Sequence, residues 1–137
     1  FLKGITDAPI LLNATLPEVR IAALQELNRR GMLDGIVYNS INGFSTSEEL
    51  DVLARLPIQA SVIQAYNPGS KKADGPYKVL TGKGGKEGFL DKAARAGMTK
   101  IMVDIPALDL SNMGTIPYAA RVIKEELGIE LGIRENK

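Results

Sequence analysis

"DGIVYNSINGFSTSEELDVLARLPIQASVIQAYNP", residues 34–68, holds two short apolar runs with an amphipathic segment between them. "DGIVYNS" (34–40) reads as a β-strand that turns polar at its end. "STSEELDVLARLP" (45–57) opens on Ser and Thr caps, carries Glu48 and Glu49 in its first turn and stops at Pro57, as a helix does. "QASVIQAYNP" (59–68) is strand again. The unit is strand, helix, strand, and it predicts parallel pairing of the two strands.

The same rhythm extends in both directions. Upstream, "PILLNAT" (9–15) is a short apolar run. "LPEVRIAALQELNRRGM" (16–32) follows as a helix with Pro17 in its first turn and Gly31 at its C-terminal cap. Its apolar face is expected to be Val19, Ala22, Ala23 and Leu27, with Ile21 beside them. Downstream comes a Gly/Lys-rich loop over 69–85, then a helix over 86–98 ending at Gly97. A strand running into a loop over 100–110, a helix over 115–128 and the start of a further strand at 129–133 follow. The strands are short, β-branched and without strict alternation, which predicts cover on both faces.

Four to five βα units in a row fit a doubly wound sheet or a (β/α)8 barrel. Asn13, Asn39, Asn67 and Asp104 decide between them, because each is expected at the C-terminal end of a different strand. A barrel gathers all such ends around one mouth, whereas a doubly wound sheet uses mainly one switch point. The expectation is an α/β chain forming part of a (β/α)8 TIM barrel, with residues 1–137 as a single incomplete domain. The chain has no initiator Met and ends on "RENK", so both ends read as cut.

Composition narrows the chemistry. Seventeen basic and 16 acidic residues give a net charge of +1, which offers no argument for nucleic acid or an anionic membrane surface. The chain has no Cys and no His. Disulfides, thiolate sites, Ser-His-Asp triads and the common zinc sites are excluded, and no metal is expected. No signal peptide and no run of about 20 apolar residues is present. A cytoplasmic protein without direct membrane insertion is the default.

Two loop features carry alternative readings. In "TGKGGKEG" (81–88) the glycines suit either backbone approach to a phosphate or a loop over a barrel mouth; the GxxxxGK[ST] spacing is not met. Lys71, Lys72, Lys78, Lys83 and Lys86 form a local positive cluster. They are either solvated loop lysines or an attractor for an anionic substrate tail or acidic partner. Asp104 in "IMVDIP" follows apolar residues, and a buried carboxylate there would require donors from backbone, side chain or ligand.

The segments "PILLNAT…YNSINGFS…QAYNP…GFLDKAARAGMTKIMVDIPALDL" resemble the family formed by the H-type subunits of tetrahydromethanopterin S-methyltransferase. More broadly they resemble the pterin-dependent corrinoid methyltransferases. The resemblance covers about residues 9–131, with "NSING" and D-x-P as its most specific pieces. It implies a barrel binding methyl-tetrahydromethanopterin or methyl-tetrahydrofolate at its mouth. It also implies methyl exchange between N5 of that pterin and the cobalt of a corrinoid held by a partner protein, in one-carbon metabolism or methanogenesis. By position, Asn39 matches the asparagine near N5 and is the expected catalytic residue. Asp104 matches the aspartate on the pyrimidine edge. Asn13 joins Asp104 in holding the ring, with Asn67 and Ser40 as further substrate contacts. A carboxylate accepts two parallel N–H bonds, and an amide stabilises developing charge without His or Cys.

The implied partners are a corrinoid protein or other methyltransferase subunits, with a homodimer and a peripheral place on a membrane complex both compatible. Where the family carries Asp in an L-D-S-[ST]-like motif, this chain has Asn13, which offers one acceptor and one donor group. That departure and the cut ends support an alternative, a pterin-binding or structural module without turnover. A third reading is another barrel enzyme, but a strand-end Lys for a Schiff base is missing. The fragment by itself is expected to be inactive.

Overall fold

A computed structural model describes residues 5–70, 72–83, 85–106 and 113–128. Four strands, β1 (Ile10–Asn13), β2 (Ile36–Ile41), β3 (Ala60–Gln64) and β4 (Lys100–Asp104), form one sheet in the order β1-β2-β3-β4. Every pairing is parallel, with Ile10 opposite Ile36, Val37 opposite Ala60, and Ala60 opposite Lys100. The intervening helices are α1 (Pro17–Arg29), α2 (Ser47–Ala54), α3 (Gly75–Thr81) and α4 (Phe89–Arg95), and α5 (Ile116–Leu127) follows β4.

Local chemistry places the helix ends. Pro17 takes the first turn of α1, where its missing N–H costs nothing. Thr46 caps α2 through a reciprocal pair: its side chain accepts from the Glu49 N–H at 3.2 Å, and its own N–H donates to Glu49 Oε2 at 3.3 Å. Helix α3 lies inside the stretch expected to be a loop. Pro76 starts it and Leu80, fully buried, anchors it to the core. About two turns of helix, with Leu80 buried and Tyr77 and Val79 only partly so, give too short a periodic signal to read from sequence.

Sequential strand order has a consequence for the faces. With crossovers of the usual hand, each helix returns to the same side of the sheet. The helices pack as one layer, α1 on α2, α2 on α4, α4 on α3 and α3 on α5. Beneath it lies the core of Leu24, Ile36, Tyr38, Ile41, Leu50, Leu53, Ile63 and Leu80. Expected cover on both faces is therefore corrected. In β1 and β4 the residues alternate: Ile10, Leu12, Ile101 and Val103 turn toward the helices, while Leu11 (49% exposed), Asn13, Met102 (47% exposed) and Asp104 turn away. The same face continues across the register through half-buried Val37 and Asn39, then through half-buried Ala60, buried Val62 and half-buried Gln64, so it is open at β1 and β4 and closer packed between them. A parallel sheet in sequential order with helices on one side matches part of an α/β barrel.

The inward face of α1 also differs from expectation. Val19 and Ala22 are exposed, whereas Arg20 and Leu24 are buried and Leu27 packs against the core. A charged residue takes an inward position because it has a buried partner, described below. The strand expected at 129–133 and the part of the β4 stretch at 107–110 lie outside the described residues.

Candidate functional site

The C-terminal ends of the four strands lie along one edge of the sheet, and the bare face brings chosen residues to it. Asn13 ends β1 and stands opposite Asn39 in the register. Asp104 ends β4 and stands opposite Gln64, the last residue of β3. Asn13 and Asp104 are exposed and Asn39 is half-buried. Among the described residues, the side chains of Asn13, Asn39 and Asp104 have no hydrogen-bond partner. The Asp104 carboxylate is thus not a buried group held by backbone donors; it projects outward, while its carbonyl accepts from the Ala65 N–H at 2.8 Å.

The amides that shape loops behave differently. Asn42 Oδ1 accepts from the Phe44 N–H at 2.8 Å and its Nδ2 donates to Ser40 Oγ at 3.2 Å. Asn67 Oδ1 accepts from the Gly69 N–H at 3.0 Å, and its Nδ2 reaches the Gly75 carbonyl at 3.5 Å. Both are Asx-type turn formers. Asn67 lies three residues beyond the end of β3 rather than on it, so the structure sets it apart from Asn13, Asn39 and Asp104. Ser40 is buried just after Asn39, where the β2–β3 register shifts between Asn39 and Ile41 and the Asn39–Ser40 peptide is cis.

Gln64 is the strand-end residue that sequence reading passed over. Counting by twos through "ASVIQ" from Ala60 puts Gln64 on the same face as Asp104; that parity was the available signal.

Behind this edge sits a buried polar cluster that sequence reading also missed. Glu49 Oε1 accepts from Arg20 Nη2 at 2.5 Å and Arg20 Nε at 2.9 Å, and it accepts the Tyr38 hydroxyl. Arg20 Nη1 donates to the carbonyls of Ala14 at 2.5 Å and Thr15 at 3.3 Å. Those two residues follow Asn13 directly. The cluster therefore ties α1, β2 and α2 to the loop that carries Asn13. Burial, then the Glu49 carboxylate beside it, pushes the Tyr38 hydroxyl well above the ordinary range for a phenol.

A cleft of about 640 Å³ opens beside the strand ends, between the loops after β2 and β3 and the α3–α4 segment. Gln64, Tyr66, Phe89 and Lys92 are among its walls. Gly82, Lys83, Lys86 and Glu87 of the glycine-rich stretch line one side of it. There, a Cβ on Gly88 would stand 2.6 Å from the Leu80 carbonyl oxygen, and one on Gly82 2.7 Å from that of Lys86. Close chain crossing between the end of α3 and the start of α4 accounts for those two glycines. Among the described residues no group of three His, Cys, Asp or Glu side chains could hold a metal ion. No described helix is long and apolar enough to cross a membrane.

A family model described as "Tetrahydromethanopterin S-methyltransferase MtrH subunit" matches residues 1–136. The chain belongs to this family. Curated MtrH proteins resemble it over nearly its whole length. The tetrahydromethanopterin S-methyltransferase MtrH protein of Methanopyrus kandleri is 30% identical over 138 residues, covering 96% of this chain and 42% of that protein. Those of Methanocaldococcus jannaschii and Methanothermobacter thermautotrophicus are 30% and 28% identical, covering 96% of this chain and 42% and 44% of theirs. The chain thus spans less than half the length of these MtrH relatives. The family name describes a subunit of a tetrahydromethanopterin S-methyltransferase.

Proposed function

We propose that this chain forms the central part of a (β/α)8 methyltransferase barrel. The reaction moves a methyl group between N5 of methyl-tetrahydromethanopterin or methyl-tetrahydrofolate and the cobalt of a corrinoid carried by a partner protein. The single observation that carries the reading is the set of three uncommitted polar side chains, Asn13, Asn39 and Asp104, on one bare face at one edge of the sheet. Asn39 and Asp104 stand two strand spacings apart and two residues apart along the strand direction, because Asn39 is level with Val62 and Asp104 with Gln64, so roughly 12 Å separates them. A fused bicyclic ring with hydrogen-bonding groups at both ends can bridge that span.

Each residue has a distinct task. The Asp104 carboxylate accepts two adjacent N–H donors from the pyrimidine edge. Asn39 lies at the far end of the ring and stabilises charge that develops at N5 as the methyl group leaves, using an amide dipole rather than a titrating group. Asn13, beside Asn39, contacts the ring with one donor and one acceptor group. Ser40 and Asn67 shape the walls, with Asn67 fixing the loop after β3. The corrinoid, when the partner presents it, supplies a methyl-accepting metal centre above the same mouth. Other methyltransferase subunits are the expected neighbours of the barrel, in a cytoplasmic setting that can be peripheral to a membrane complex.

Titration of the full-length natural protein with both methyl-tetrahydropterins, repeated with Asp104→Ala, tests the assignment. Affinity is expected to fall at least about tenfold, the loss of a charge-assisted bidentate contact. Unchanged affinity would sink the site. A second reading, a pterin-binding module without turnover, draws on Asn13, where relatives of the pterin-dependent type carry a carboxylate. Pterin binding without methyl transfer to cob(I)alamin would select it.

A further inference from the structure

The proposed reaction leaves the large cleft unused. Lys78, Lys83, Lys86 and Lys92 line it against a single carboxylate, Glu87, which is bound to Arg95 at 3.1 Å. Among the described residues, Lys78 alone of the four lysines is in salt-bridge contact, with Asp74 at 2.7 Å. Lys83 Nζ donates to the Tyr77 hydroxyl at 2.8 Å, and Lys92 Nζ to the Asn42 carbonyl at 3.3 Å. Lys86 has no partner there. The walls also carry Phe44, which is 80% exposed, with Tyr66 and Phe89. Lys83 Nζ also lies 4.9 Å from the Tyr77 ring centroid and Lys92 Nζ 5.4 Å from that of Phe89, so these two are held by rings and neutral acceptors rather than by carboxylates in ion-pair contact. Flat apolar surface beside lysines not ion-paired among the described residues, in a cavity sized for a small molecule, is the pattern of a ligand site. Gln64 joins the cleft to the bare sheet face beside Asp104.

We infer that this cleft binds an aromatic ring bearing an anionic group, phosphate or carboxylate. The ring lies against Phe44, Tyr66 and Phe89, and the anion faces Lys83, Lys86 and Lys92. The cleft is defined without reference to a pterin. Its occupant is the acidic tail of the methyl donor, and this last step rests on the proposed function.

The test uses probes with no pterin ring: phenyl phosphate and 4-aminobenzoyl-glutamate, titrated separately into the full-length natural protein at low ionic strength. At least one is expected to bind, and the tighter of the two identifies the anion as phosphate or carboxylate. K86Q/K92Q is expected to weaken that binding at least about fivefold, and added salt to weaken it further. K86Q alone breaks no hydrogen bond or ion pair among the described residues, so a loss of about twofold there excludes loop disturbance through Asn42. V79W, which fills the cleft, is expected to abolish binding. No binding to the wild type, or equal binding to all variants, overturns the inference. Probe binding without pterin binding would leave the cleft standing and remove the methyl-transfer reading; pterin binding without probe binding would do the reverse.

Discussion

Arg20 and Glu49 form a buried ion pair, with Nη2 and Oε1 2.5 Å apart and both side chains almost without solvent contact. The pair lies behind the strand ends, and Arg20 spends its remaining donors on the backbone just past Asn13. Removing one member strands the other charge in a low-dielectric site. Arg20→Met is expected to cost about 3 kcal/mol or more, and Arg20→Met with Glu49→Leu to recover part of that loss. Urea unfolding midpoints of the three proteins decide it. A single variant within about 0.5 kcal/mol of wild type would contradict the buried pair. Arg20→Lys, which cannot reach Glu49 and two carbonyls in the same fork, is expected to weaken ligand binding through Asn13.

Asp104 and Asn67 separate by kind of effect. Asp104 projects from the sheet without a described partner, so Asp104→Ala should change stability by no more than about 0.5 kcal/mol while weakening pterin binding. Asn67→Ala removes the bonds to Gly69 and Gly75 and is expected to destabilise by about 1 kcal/mol, with a smaller effect on affinity. Thermal melts and calorimetric titrations of both variants show whether the two losses divide this way.

Gly88 and Gly31 test packing against backbone strain. Gly31 has φ +66° and open space around a would-be Cβ, so Gly31→Ala is expected to cost about 1 kcal/mol. Gly88 has an ordinary negative φ, yet its Cβ would meet the Leu80 carbonyl oxygen at 2.6 Å. Gly88→Ala should therefore be the more damaging, by displacing α4 from α3. Denaturant midpoints in the opposite order would refute the crossing.

Glu26 offers a pH signature. Hydrogen bonds from Arg29, and then Arg30, hold its carboxyl at about 2, against an ordinary 4.5. A depressed carboxyl pKa adds stability at pH above the ordinary value, and that contribution is lost as pH falls through the folded value. The window is thus between about 4.5 and 2. The group is exposed, so the contribution is small and sensitive to salt. Carbon-detected NMR titration of Glu26 should show the low midpoint, and Arg29→Ala should move it upward.

Much of the frame was legible because strands and helices here obey their local signals. Pro17, Gly31, the Thr46–Glu49 box and Gly97 all stand where the sequence predicts helix ends. Asn13 and Asp104 end their strands as expected. What escaped was set by tertiary contact. Arg20 is buried because Glu49 waits 29 residues away, and no periodicity discloses that. Asn67 looked equivalent to Asn13 because Asn-Pro follows an apolar run, yet β3 stops three residues earlier and Gln64 takes the strand-end place. Strict alternation was hidden in β2 and β3, whose residues are buried on both sides more often than those of β1 and β4.

The sequential order of the strands also bears on how the chain is made. Among the described strands, β2, β3 and β4 each pair with the strand synthesised immediately before them, so these pairings need no later segment to leave the ribosome. Assembly can proceed in the direction of translation, one unit docking on the last, but paired residues such as Ala60 and Lys100 are far apart in sequence, and parallel pairing of this kind is slow. Until a following strand arrives, the newest edge keeps its ladder groups unpaired, which leaves a stalled nascent chain open to wrong pairing.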